Sequence, residues 1–232
     1  VVPVWAEAGR GPMPPDAFLD IVEEIGARLA LDRRLAAAGL DTLARLTGAG
    51  LCAAVSVPVA ARTLDAPGYA ADLCHALAQR SLPAAAFALV VEAGTLADDA
   101  AERRLRPLAP LLRQGLALHL SVGVAGSAPL AALARPEVTT VRIDVAACGG
   151  TDGAGDARPL AGALASLGRD MGFEVTATGL ESEGSVTAAR TFGCRAGQGT
   201  ALAAPLPPGD PGALIRQVQG SAAATTARSG SG

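Results

Sequence analysis

The chain has 232 residues, half of them hydrophobic and only 3% aromatic, with a formal net charge of −3. All 19 basic residues are arginine, and neither lysine nor asparagine occurs, which excludes Schiff-base lysines, P-loop lysines and asparagine metal ligands. The near-neutral balance excludes a dedicated nucleic-acid binder, and no apolar run reaches the ~18 residues of a membrane span.

Val1 to Trp5 reads as extended. Pro14-Pro15-Asp16 then opens a helix whose Phe18, Ile21, Val22, Ile25 and Leu29 fall on one face at three- and four-residue spacing. A second helix runs from about Asp32 to Leu46, followed by a strand over Leu51 to Pro58. Helix Tyr69 to Gln79, strand Ala85 to Val91, helix 100–114 and strand 116–122 come next. A short helix near Leu130 leads to strand 139–145. Helix 158–171 carries a stripe of Leu160, Leu164, Leu167 and Met171, expected to be core. Strand 173–178, helix 182–191, a short strand near Arg195 and helix 210–218 complete the series. Residues 1–220 are expected to form one domain, and the Ser/Ala/Thr/Gly-rich stretch 221–232 a disordered tail.

This is a repeated βα pattern, which implies parallel strands covered by helices. A TIM-like barrel and a doubly wound open sheet both fit. No G-x-G-x-x-G follows the first strand, which disfavours a dinucleotide-binding fold, and even repetition favours the barrel. Cys52, Cys74, Cys148 and Cys194 contain no C-x-x-C and read as buried thiols of a cytosolic protein, not as a zinc site with His75 or His119. The chain starts at Val1 with no signal-peptide pattern, so it reads as a cytoplasmic fragment of a longer protein.

A series of local motifs then carries a resemblance. The segments are Gly11 to Gly26, the strand and turn Leu51 to Leu64, Val141-Arg-Ile-Asp144, Ala177-Thr-Gly-Leu-Glu181 and Gly193 to Gly199 followed by Pro205-Leu-Pro. In order and spacing they resemble the EAL domain family, the bacterial cyclic-di-GMP phosphodiesterases. The resemblance implies a TIM-like α/β barrel with one antiparallel strand. It also puts the family's first strands and its signature glutamate ahead of Val1.

The family cleaves a phosphodiester with a pair of Mg²⁺ or Mn²⁺ ions, and such hard ions require several oxygen ligands. By resemblance, the ligand asparagine aligns with Ser56, one ligand glutamate with Leu89, the paired aspartates with Ser121 and Val122, and a further glutamate with Thr178. The motif lysine is Arg142, which keeps the charge but does not give up a proton near neutral pH. No aspartate or glutamate occurs in 115–136, so no slip of alignment restores the aspartate pair. The metal site is therefore expected to be lost and the domain to be non-catalytic. Arg142, Glu181 and Gln198 remain as ligand-binding candidates, with Glu92 as a loop support. Against ligand binding, the family's substrate-contacting arginine is replaced by Val4.

Plainer readings stand beside these. His119, between leucines, is expected to be a core or pocket histidine, and Glu181 a rim carboxylate near a helix N-terminus. Arg142 and Gln198 could serve structure alone. Cys148 to Asp156 reads as a βα loop, and Arg103-Arg104 as a solvated helix face. The expected function is a regulatory or interaction domain acting through a protein partner or a homodimer, with a non-hydrolysing cyclic-di-GMP receptor as the first alternative and a residual phosphodiesterase as the second.

Overall fold

Strands in this chain follow one another in space as they do in sequence. The computed structural model describes residues 2–7, 11–13, 15–123, 128–146, 158–206 and 211–216. An antiparallel hairpin comes first, β1 (Trp5–Glu7) with β2 (Gly11–Met13), Trp5 facing Met13 across the pair. A 3₁₀ turn (Pro15–Ala17), α1 (Leu19–Glu24) and α2 (Arg28–Gly48) lead to β3 (Val55–Pro58). Helices α3 (Ala61–Leu64) and α4 (Tyr69–Gln79) then precede β4 (Phe87–Glu92). After it come α5 (Ala93–Ala97), α6 (Ala101–Leu105), α7 (Ala109–Arg113) and β5 (Ala117–Val122). Helix α8 (Ala128–Leu133) and β6 (Val138–Asp144) follow. The described chain ends with α9 (Arg158–Asp170), β7 (Glu174–Thr178), α10 (Glu183–Thr191), β8 (Ala196–Gly197) and a helical turn over 211–216.

The six later strands form one parallel sheet in the order β3-β4-β5-β6-β7-β8. A doubly wound sheet must reverse its strand order at a switch point. No reversal occurs here, so the winding is that of a TIM-like barrel, with β3 and β8 as the two open edges among the described residues. The expected tail 221–232 and the loop from Cys148 to Asp156 lie outside the described residues.

Alternation sorts each strand into two faces. Val57, Leu89, Val91, Leu118, Leu120, Val122, Ile143 and Ala177 are at most 1% exposed and pack under the helices. Leu40, Leu43, Leu73, Leu105, Leu108 and Leu111 meet them from the helix layer. Each such leucine contributes roughly 1.5–3 kcal/mol by leaving water.

Several sequence expectations need correction. Ile21 and Ile25 are 53% and 70% exposed, so only Phe18 and Val22 of the first helical stripe are buried. Leu160 and Met171 of the α9 stripe are exposed at 41% and 45%. The buried line of α9 is Ala161, Ala165 and Gly168 instead, and a Cβ at Gly168 would stand 3.0 Å from Val175 Cγ2. Small residues let this helix approach the sheet closely, and the leucines pack at its flanks. The single helix expected over 100–114 is broken by a 3₁₀ turn at Arg106–Leu108. Pro107 and Pro110 supply no N–H donor and clash with the preceding turn. Cys52 is exposed, and Cys74 and Cys194 are half-buried, so none of these three is the buried thiol expected.

Arg103-Arg104 is not a uniformly solvated pair. Arg104 is 8% exposed. Its Nη1 donates to the Thr95 carbonyl and to both Asp98 carboxylate oxygens, and its Nε and Nη2 donate to Asp65 Oδ2. It thereby ties the segment after β3 to the segment after β4. Asp32, fully buried on α2, accepts from the Ala60 amide and Thr63 Oγ1 and pairs with Arg28. This second clamp holds the same β3–α3 corner from the other side.

Candidate functional site

The face of the sheet turned away from the helices carries the polar residues. Register places Glu92, Ser121, Arg142 and Thr176 side by side on β4, β5, β6 and β7. One step further toward the strand ends, Asp144 pairs with Thr178. One step back, Val90, His119 and Thr140 form the next row, with Glu174 beside Thr140. Ser56 lies on this face too, in register with Ala88 and Ala117. These C-terminal strand ends are where a TIM-like barrel assembles its functional groups.

Arg142 is the centre of the row. Its Nη2 donates to Gln198 Oε1 at 2.5 Å. Burial lowers the guanidinium's affinity for its proton, and the Glu92 carboxylate opposes that effect. Glu92 itself is pushed above the usual carboxylate range by the crowding of neighbouring atoms and by Asp144. A hydrogen bond with Ser121 and the charge of Arg142 pull it back. His119 is depressed to about 4, first by burial and then by Arg142, with Glu174 opposing. It is therefore neutral at pH 7, and its Nδ1 is buried without a partner among the described residues.

Gln198 is placed by its backbone. Its N–H donates to the Ala177 carbonyl at 2.8 Å, and its carbonyl accepts from the Leu180 amide at 3.1 Å. The flanking glycines make this approach feasible, because a Cβ at Gly199 would sit 2.0 Å from the Leu180 carbonyl oxygen and one at Gly197 2.7 Å from Leu180 Cδ1. Gly179 serves the same corner. Its φ of +69° suits glycine, and a Cβ there would meet Asp144 Oδ1 at 2.6 Å.

The structure brings together Arg142, Gln198, Glu92 and Ser121, and puts Ser56 and Thr178 on the same face. Leu89 and Val122 are not part of it. Both are 0% exposed on the opposite face, under the helices. The site-facing neighbour of Glu92 on β4 is Val90, which is also apolar. Glu181 is exposed beside Ser182, the N-cap of α10, and makes no hydrogen bond to Arg142 or Gln198. Val4 is 51% exposed in the first segment. Asp144 and Thr176 belong to the site but were not singled out as candidates from the sequence. The signal was there: each stands two residues from a candidate on the same strand, and i, i+2 residues share a face.

Chemically, the row offers guanidinium N–H donors for a phosphate or carboxylate, hydroxyls from Ser121 and Thr176, and two carboxylates. No three of His, Cys, Asp and Glu group closely enough to hold a metal ion among the described residues. Nor is any described helix long and apolar enough to cross a membrane.

Comparison with known proteins agrees with this architecture. The chain is 32% identical over 159 residues to uncharacterized proteins of Mycobacterium tuberculosis and Mycobacterium bovis, a match covering 66% of this chain and 51% of theirs. It thus spans about half the length of the curated relatives it matches. Among solved structures, a PaMucR phosphodiesterase in a cyclic-di-GMP complex superposes with a TM-score of 0.76 at 22% identity, covering 89% of this chain and 83% of that one. The EAL domain of Mycobacterium smegmatis DcpA gives 0.70 at 18% identity, covering 82% and 85%. The FimX EAL domain of Pseudomonas aeruginosa bound to cyclic-di-GMP gives 0.71 at 18%, covering 88% and 81%. At these identities the superpositions speak to the fold. The sequence model for the EAL domain matches residues 1–205, so with the sequential parallel sheet and the polar strand ends in place, the chain belongs to the EAL domain family.

Proposed function

We propose that this EAL domain is a non-catalytic regulatory or interaction module of cyclic-di-GMP signalling, working through a protein partner or a second copy of itself. The observation that carries the reading is the residue set on the site-facing strand ends. Ser56, Ser121 and Thr178 offer only hydroxyls, and Val90 nothing, where a two-metal hydrolase needs amide and carboxylate oxygens, leaving Glu92 and Asp144 among the described residues. Two carboxylates beside a guanidinium do not fit an octahedral Mg²⁺ or Mn²⁺ pair, which wants several oxygen ligands per ion. No hydrolytic step through metal is therefore derived. The test is incubation with cyclic-di-GMP and excess Mn²⁺, followed by chromatography. No linear product above the protein-free control is expected. Turnover that EDTA suppresses would overturn the reading.

A second reading, a receptor that binds cyclic-di-GMP without cutting it, is supported by the Arg142–Gln198 pair. That bond turns the Gln198 carboxamide oxygen toward Arg142 and leaves its NH₂ as a donor, beside the remaining guanidinium N–H groups. Calorimetry in EDTA distinguishes the two readings. Micromolar binding that Arg142→Ala abolishes favours the receptor, and no heat at high micromolar protein favours the interaction module.

A further inference from the structure

We draw no further inference here: the strongest candidate, the apolar flank of α9 formed by Leu160, Leu164, Leu167 and Met171, is a partly exposed helix face, and nothing among the described residues shows what covers it.

Discussion

His119 and Arg104 show how burial sets the behaviour of single charged residues in this chain. The His119 imidazole is depressed from its ordinary 6.5 to about 4 because a proton there would be buried beside Arg142. The unfolded chain takes up a proton as pH falls below 6.5, and the folded chain does not until about 4. Stability contributed by the neutral form is thus fully present above 6.5 and is lost as pH falls toward 4. A shift of this size sets an upper bound of roughly 3 kcal/mol on that loss, reduced by the histidine's partial exposure. An NMR titration of the imidazole should find a midpoint near 4, and a value near 6.5 would contradict the burial. Arg104 acts with the same sign through its partners. Its hydrogen bonds lower the carboxyls of Asp65 and Asp98, so their contribution is present at neutral pH and lost as acid protonates them. Arg104→Ala should cost about 2–3 kcal/mol in urea unfolding, chiefly through the stranded Thr95 carbonyl and lost packing. It should also flatten the acid limb of the stability profile. A cost under half a kcal/mol would mean that solvent replaces the clamp.

At the scale of elements, the sequence was legible wherever hydrophobic period and turn residues agreed. Helix Tyr69–Gln79 appears with the expected ends, and every expected strand is present, shifted by a few residues at most. What periodicity misread was which side of a helix faces inward. The leucines of α9 are its most hydrophobic line, but the sheet is met by Ala161, Ala165 and Gly168, because backbone proximity there leaves no room for larger groups. The site was less legible for a related reason. Motif order located β4, but only the pleat shows that Leu89 faces the helices and Val90 the site. Helix α2 makes the space argument testable. Gly39 stands so close to β3 that a Cβ would lie 2.7 Å from Val57 Cγ1. Helix propensity says that Gly39→Ala gains up to about 1 kcal/mol. Overpacking predicts a loss of about 1–3 kcal/mol, and since Val57 is wholly buried the loss should win. Denaturant unfolding decides the sign, and a stabilised variant would show that α2 can retreat from the sheet.

For the molecule as a whole, the strands keep the barrel-like sequential order while the charged groups described at their ends are few: Glu92 and Asp144 around Arg142. The helix-covered face is apolar along nearly its whole extent, and the clamps at Asp32 and Arg104 fix the segments that frame the mouth. Shape is thus secured by contacts that need no metal. A resident ion makes a different thermodynamic statement. Anything that binds the native state alone stabilises it by RT ln(1 + [L]/Kd), about 2.7 kcal/mol at a hundred times Kd. In a chain of this size that raises Tm by roughly 5–10 °C. If Glu92 and Asp144 are balanced by Arg142 and lack further ligands, about 1 mM MnCl₂ should leave Tm unchanged to within about a degree. The Ser121→Asp, Val90→Glu variant adds two carboxylates on the site-facing rows of β4 and β5, next to Glu92. Its melting temperature should fall in EDTA, from repulsion among carboxylates, and recover by several degrees in Mn²⁺. A manganese-dependent rise in the unaltered protein would instead mean that its strand ends already assemble a cation site, and the non-catalytic reading would fail with it.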